Sequence, residues 1–193
     1  GACMVQLKYN SGEMNLSKLK KFFNEKFPKS EYAAIINQRV QEETDSSNET
    51  TDNSYFIKER IDSLSQLRDI KELKGKYLFI DLWASWCMPF SHKSKLEELL
   101  NAYGNIATVY ISIDDEKQEK AWLNCVKYYK LEGYHLRATF ALQEDIKKNI
   151  YGKEQFEIPR YLLIGPEGKI INNDLPRPSE YPQLKEALGL VIK

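Results

Sequence analysis

Hydrophobic and polar positions divide the chain into a helical N-terminal part, a polar segment and a long part of alternating elements. Between residues 15 and 41 apolar side chains recur at helical spacing on both sides of Pro28, which predicts two short amphipathic helices. Residues 42–54 contain five carboxylates and no basic or large apolar side chain. Such a segment cannot bury enough surface to offset its ordering entropy, so it is predicted to be a linker. We therefore expect an N-terminal helical extension with its acidic linker over residues 1–54 and one globular domain over residues 55–193.

The second part has the pattern of strands that alternate with helices. Two runs are apolar on both faces, as in strands buried within a sheet, and they cover Tyr77–Ala84 and Ile106–Ile113. Gly165-Pro166-Glu167-Gly168 predicts a tight turn between two further strands. The order of these elements predicts an α/β protein with a central mixed sheet and helices on both faces. The predicted helices cover about 64–73, 89–103, 115–129 and 179–188, and the predicted hairpin strands cover 161–164 and 169–171.

Composition and the absence of known motifs argue against several classes of function. The chain has 28 Lys and Arg against 28 Asp and Glu, so it lacks the charge excess of a nucleic-acid binder. No apolar run approaches the ~18 residues of a membrane-spanning helix, and no metal-ligand or nucleotide-binding motif is present. We expect no nucleic-acid partner, no transmembrane segment, no metal and no cofactor, and the oligomeric state stays open. Acid pairs such as Asp114-Asp115 are expected on exposed faces, without a part in catalysis.

The cysteines carry the candidate chemistry. There are three of them, an odd number, so at least one thiol is unpaired within the chain. Cys87 follows a predicted buried strand and precedes a helix predicted to open at Pro89. Helix N–H groups and the positive end of the helix dipole would then favour a nucleophilic thiolate, with Lys93 adding positive potential. Cys125 falls on the apolar side of its predicted helix and is expected in the core.

The residues around Cys87 read Ile80-Asp81-Leu82-Trp83-Ala84-Ser85-Trp86-Cys87-Met88-Pro89. This segment resembles the active-site strand and turn of the thioredoxin superfamily, most closely that of the bacterial TlpA/ResA-like thiol–disulfide oxidoreductases. Two later segments, Phe156–Ile164 and the hairpin that follows it, extend the resemblance over about residues 55–193. It implies a thioredoxin-like fold preceded by the N-terminal helical extension.

The resemblance also implies a role for each matched residue. Cys87 matches the family's attacking cysteine, and Asp81 matches the buried acid of the central strand. Pro159 matches the cis-proline, and Ile158 before it would offer backbone groups to an extended substrate peptide. The residues implied to contact the substrate are Trp86, Met88, Pro89, Phe90, Ile158 and Pro159.

Position 90 departs from the family pattern. The family has a second, resolving cysteine there, whereas this chain has Phe90. Because release of the mixed disulfide in the ordinary cycle requires attack by that second thiol, an intramolecular Cys-x-x-Cys cycle is excluded. Two roles then remain open for Asp81: it acts through water on Cys87, or it is an inherited buried acid with a raised pKa.

Two functions from different classes follow. In the first, Cys87 forms mixed disulfides with protein or small-molecule thiols and disulfides, and an external thiol resolves them. In the second, the chain is a non-catalytic binding module that uses the cis-proline groove and an apolar patch of Trp86, Met88 and Phe90. A peroxidase-like function is the weakest, because the expected Thr-x-x-Cys surroundings are replaced by Ser85-Trp86.

The first residues, Gly1-Ala2-Cys3, allow two interpretations of the N-terminus. They are either a terminal remnant without a role, or the end of a bacterial lipoprotein signal in which Cys3 carries the lipid. A lipid on Cys3 would tether the protein to a membrane surface. With the family resemblance, this favours the bacterial periplasm or cell envelope.

Overall fold

The structure is a computed structural model, which describes residues 16–28, 33, 37, 53–87 and 92–192. The described residues fall into two compact units. The smaller unit contains helix α1 (Leu16–Lys26) and residues 120–131, and the larger unit contains the described residues from 53 onward except 120–131. Helix α1 corresponds to the first predicted helix. Of the second predicted helix only Ala33 and Asn37 are described, so that prediction lies largely outside the described residues.

One mixed sheet of six strands organises the described residues of the larger unit. The strands are β1 (Ser54–Phe56), β2 (Tyr77–Trp83), β3 (Ile106–Ser112), β4 (Gly133–Arg137), β5 (Arg160–Ile164) and β6 (Ile170–Asn172). Their order is β1-β4-β3-β2-β5-β6; the first four run parallel, and β5 and β6 are antiparallel to their neighbours. The predicted α/β class with a central mixed sheet is confirmed.

Helices follow the strands, with three differences from the sequence prediction. The helix predicted over about 64–73 is a 3-10 turn at Leu64–Asp69. Helix α2 begins at Lys93, after His92, and not at Pro89, where the sequence pattern places its start. The less regular stretch after residue 129, to which the pattern assigned no element, contains β4 and a further helix. The helices after α1 are α2 (Lys93–Asn101), α3 (Glu119–Tyr128), α4 (Phe140–Ile146) and α5 (Tyr181–Gly189), with 3-10 turns at Leu64–Asp69 and Glu116–Gln118 and a π turn at Lys147–Tyr151.

Strand β2 is buried on both faces, which accounts for its unbroken apolar run. Leu78, Ile80 and Leu82 belong to one core cluster, which includes residues of the 3-10 turn at Leu64–Asp69 and of α4. Phe79 belongs to a second cluster, which includes residues of α2 and α5. Because successive side chains of a strand point to opposite faces, Asp81 lies on the same face as Phe79. The one carboxylate of this strand therefore lies inside the protein.

Candidate active site

A tight turn at the carboxyl end of β2 carries Trp86 and Cys87. Ala84 and Cys87 form an isolated antiparallel bridge, in which the Cys87 N–H donates to the Ala84 carbonyl at 2.9 Å. The Trp86 side chain is 50% exposed, and the Cys87 residue is partly buried. The turn therefore presents an aromatic ring and a thiol together at the surface.

Asp114, just beyond the end of β3, holds this turn from the neighbouring strand. Its carboxylate accepts from the Ser85 N–H and the Ser85 hydroxyl, both at 2.8 Å, and from the Ser112 hydroxyl at 2.6 Å. Asp114 is 1% exposed, so the expectation of an exposed acid is wrong at this position. The local signal was a polar Ser112 and Asp114 directly after a buried strand, a pattern that suits internal hydrogen bonding as well as exposure.

The Cys87 thiol meets the segment before β5, far along the chain. Its Sγ donates to the carbonyl oxygen of Ile158 at 3.4 Å. The Ile158-Pro159 peptide bond is cis. The fold thus brings Cys87, Ile158 and Pro159, which belong to two motifs far apart in the sequence, into one site.

Asp81 is buried in the middle of β2. It is 3% exposed, pairs in register with Tyr110 of β3 and Tyr161 of β5, and its Oδ1 has no hydrogen-bond partner among the described residues. Burial raises the pKa of Asp81 from 3.8 to about 8, since an ionised carboxylate there loses its hydration without gaining donors. A carboxyl group with this pKa exchanges its proton near neutral pH.

The electrostatics of Cys87 differ from the sequence expectation. Burial raises the pKa of the Cys87 thiol, the Asp81 carboxylate raises it further, and Arg177 acts in the opposite direction. The expected lowering rested on a helix opening at Pro89, but α2 begins at Lys93. The ammonium group of Lys93 is also paired with Glu97 at 2.7 Å, which reduces its effect on the sulfur. Cys87 is therefore less acidic than its place after a buried strand suggests.

A surface groove of about 370 Å³ lies beside Pro159. Arg160 in its wall is neutralised by ion pairs with Glu154 and Asp174, at 3.3 and 3.2 Å. Arg177, also in the wall, forms no ion pair with any carboxylate of the described residues. The lining residues are Glu157, Pro159, Arg160, Tyr161, Asp174, Leu175, Pro176, Arg177, Glu180 and Gln183. The groove therefore offers a ligand mostly polar and charged surface, which includes the Arg177 guanidinium.

Some of the residues that the sequence selected are not part of the site described above. Met88, Pro89 and Phe90 are outside the described residues, as is Cys3, so their predicted roles stay predictions. Cys125 lies in the smaller unit and is partly exposed, where the sequence pattern predicted a core residue.

In the described part of the chain, no three His, Cys, Asp or Glu side chains cluster as a metal site would require. Nor does any helix there have the length and apolar character needed to span a membrane.

Sequence comparison finds relatives that are named thiol-disulfide oxidoreductases. No family model matches the chain. It is 30% identical over 105 residues to a thiol-disulfide oxidoreductase ResA of Bacillus cereus, an alignment that covers 53% of this chain and 57% of the relative. It is 28% identical over 105 residues to ResA of Bacillus anthracis, with the same coverage. The chain thus spans little more than half the length of these curated relatives.

Two solved structures extend the comparison. A thiol-disulfide oxidoreductase from Bacteroides vulgatus is 36% identical, with 62% of this chain and 78% of that chain covered and a TM-score of 0.47. Another, from Bacteroides fragilis, is 28% identical, with 63% and 88% covered and a TM-score of 0.49. Because both TM-scores are below 0.5, no shared feature is inferred from these two structures.

Proposed function

We propose that this chain, which belongs to the TlpA/ResA-like thiol–disulfide oxidoreductases of the thioredoxin superfamily and has their thioredoxin-like α/β fold, acts through the single nucleophile Cys87. One observation carries the proposal: the Cys87 thiol lies against the Ile158 carbonyl, beside cis Pro159 and the half-exposed Trp86. A substrate sulfur that approaches Cys87 would meet the backbone of the Ile158-Pro159 segment, with Trp86 as the preceding residue in the turn.

The proposed reaction is disulfide exchange in two steps. The Cys87 thiolate attacks one sulfur of a substrate disulfide, forms a mixed disulfide with it and releases the other sulfur as a thiolate, which takes up a proton. An external thiolate then attacks the substrate sulfur of the mixed disulfide, which frees the Cys87 thiolate and leaves the substrate joined to the external thiol. One disulfide is consumed and one is formed, so the electrons balance without a second cysteine at position 90.

Asp81 is proposed to accept the proton of the Cys87 thiol and to return it. Its pKa of about 8 lies close to working pH, which suits a group that must both accept and return a proton. The ionised Asp81 raises the pKa of Cys87, so the two groups influence one another. Transfer would pass through water, which is one of the two roles that the sequence left open for Asp81. A variant with Asn at position 81 would react more slowly near pH 7, although its Cys87 would be more acidic.

Protein or small-molecule disulfides are the proposed substrates. The groove suits an extended chain segment, because Pro159 in its wall directly follows Ile158, whose carbonyl oxygen accepts the Cys87 thiol. Trp86 is proposed to contact the substrate beside the reacting sulfur, and the family resemblance implies the same role for Met88, Pro89 and Phe90.

A chain with Cys3→Ser and Cys125→Ser tests the proposal, since Cys87 is then its only thiol. Incubation with oxidised glutathione should give one adduct on Cys87 by mass spectrometry, and added thiol should remove it. Replacement of Cys87 by Ser is the matched control and should give no adduct. Failure of the intact Cys87 chain to form an adduct at pH 8, while iodoacetamide still labels it, would contradict the proposal.

A non-catalytic binding module is the second candidate, and the raised pKa of Cys87 supports it. A thiol that is mostly protonated at neutral pH is a weak nucleophile, whereas the half-exposed Trp86 suits contact with a partner segment. The two candidates differ in one measurement. Cys87→Ser abolishes the activity of an oxidoreductase, whereas it leaves the binding of a partner intact.

The bacterial periplasm or cell envelope is the location proposed with this function, on the strength of the family resemblance. Lipidation of Cys3 would then tether the protein to a membrane surface. Mass spectrometry of the N-terminal peptide from the native source tests the lipid, and cell fractionation of a Cys3→Ser variant tests its effect.

A further inference from the structure

We propose that Asp114 is a positioning residue that fixes the Cys87 turn against β3 and so sets the thiol in line with the substrate groove. The inference rests on the proposed function, since it concerns how Cys87 meets a disulfide. Asp114 touches neither the thiol nor the groove, and it acts through Ser85.

The hydrogen bonds of Asp114 join the carboxyl ends of the neighbouring strands β2 and β3. One carboxylate oxygen accepts the Ser85 hydroxyl, and the other accepts both the Ser85 N–H and the Ser112 hydroxyl. Ser112 accepts the Asp114 N–H in return, at 3.0 Å. All three residues are buried, so water does not compete for these bonds. Bonds to a carboxylate in such surroundings are among the stronger ones in proteins.

These hydrogen bonds hold the chain at the point where it leaves β2. Ser85 is the first residue after the bridge residue Ala84, and its backbone and side chain are both held by the same carboxylate. Trp86 and Cys87 follow directly, and the thiol then reaches the Ile158 carbonyl on the segment before β5. Two contacts thus set the position of Cys87: Asp114 at the end of β3 holds Ser85, and Ile158 before β5 accepts the thiol. If the hydrogen bonds between Ser85 and Asp114 are lost, the thiol can move relative to the groove.

Two serine variants separate positioning from simple stability. Ser85→Ala removes one hydrogen bond from the turn to Asp114, whereas Ser112→Ala removes two bonds that lie within β3 and Asp114. Ser112→Ala should therefore lower the unfolding free energy at least as much as Ser85→Ala. If Asp114 positions Cys87, Ser85→Ala should have the larger effect on the reaction. Asp114→Asn should have the largest effect, because an amide has only one acceptor oxygen for donors from Ser85 and Ser112.

The experiment compares a reagent that uses the groove with one that does not, in chains that lack the other two cysteines. With a peptide carrying a glutathione mixed disulfide, Ser85→Ala should lower the second-order rate constant about tenfold and Asp114→Asn further, as misplacement of a reacting atom does. With iodoacetamide, both variants should stay within about twofold of the parent chain. Ser112→Ala should change both rate constants only slightly. The proposal would be overturned if the rate constants of both serine variants fell in the same proportion to the unfolding free energy that each variant loses.

Hydrogen exchange separates failure of this inference from failure of the proposed function. The Cys87 N–H bonds to Ala84 within the turn, so Ser85→Ala should speed its exchange while Ser112→Ala leaves it nearly unchanged. A parent chain inert towards the peptide disulfide contradicts the proposed function, and the exchange rates then decide the role of Asp114 alone. Unchanged exchange at Cys87 in both Ser85→Ala and Asp114→Asn refutes the positioning role.

Discussion

Replacing Asp81 by Asn should make the protein more stable, by an amount that grows with pH. Asp81 is 3% exposed, and its Oδ1 has no hydrogen-bond partner among the described residues. Burial raises its pKa from 3.8 to about 8, so the folded protein holds a proton that the unfolded chain loses. Asn has nearly the same size and never ionises. The variant therefore keeps the packing of β2 and removes the cost of neutralising a carboxylate.

The expected gain follows from the difference between the two pKa values. A group whose pKa is higher in the folded state contributes fully to stability below its unfolded value, and this contribution falls as pH rises. Between pH 3.8 and 8 the loss is ~1.4 kcal/mol for each pH unit, which gives roughly 4 kcal/mol at pH 7 and a plateau near 6 kcal/mol above pH 8. At pH 4 the two proteins should differ by about 0.5 kcal/mol.

Urea unfolding at pH 4, 5.5, 7 and 8.5, followed by circular dichroism, measures this difference. Other carboxylates titrate equally in both proteins and cancel in the comparison. Asp69→Asn is the matched control, because Asp69 is an exposed aspartate on the surface; its effect should stay within about 0.5 kcal/mol at every pH. A pH-independent difference, or an Asp81→Asn protein less stable than the parent at pH 7, would refute the assignment of a raised pKa to burial.

Three further predictions concern the thiol, the missing cysteine and the sheet. Arg177→Gln should raise the pKa of Cys87, since Arg177 lowers it in the parent chain; the pH dependence of alkylation measures the shift. Phe90→Cys should give the chain an intramolecular cycle, seen as catalysed reduction of insulin disulfides by a dithiol, which the parent chain lacks. Gly133→Ala should lower the unfolding free energy by about 2 kcal/mol or more, because Gly133 has a φ of 130° and an added Cβ would meet a β3 backbone oxygen at 2.7 Å.

Each of these has a control in the same chain. Lys185→Gln removes an equal charge outside the groove and should leave the Cys87 pKa where it is. Phe90→Ser matches cysteine in size but should confer no reductase activity. Gly104→Ala adds a Cβ where no atom lies within 4 Å and should have little effect on stability. Equal results for a variant and its control would contradict the corresponding prediction.

Local sequence pattern was sufficient for much of the fold. β2 and β3 were predicted within a residue of their bounds because strands covered on both faces are apolar throughout. β4 was missed, since Gly133–Arg137 has no strand periodicity of its own and is extended through its pairing with β3 and β1. The start of α2 was also misplaced, because Pro89 gives a general signal for a helix start and the helix here begins at Lys93.

The candidate site, like the fold, was predicted from the sequence only in part. The sequence alone shows that a cysteine occupies position 87 and that phenylalanine, in place of the family's resolving cysteine, occupies position 90, because both are matters of residue identity. The raised pKa of Cys87, the hydrogen bonds of Asp114 to Ser85 and the meeting of the thiol with Ile158 depend on distances between segments far apart in the chain. Electrostatic and hydrogen-bonding energies follow those distances and the exclusion of water, which only the folded packing of β2, β3 and the segment before β5 establishes.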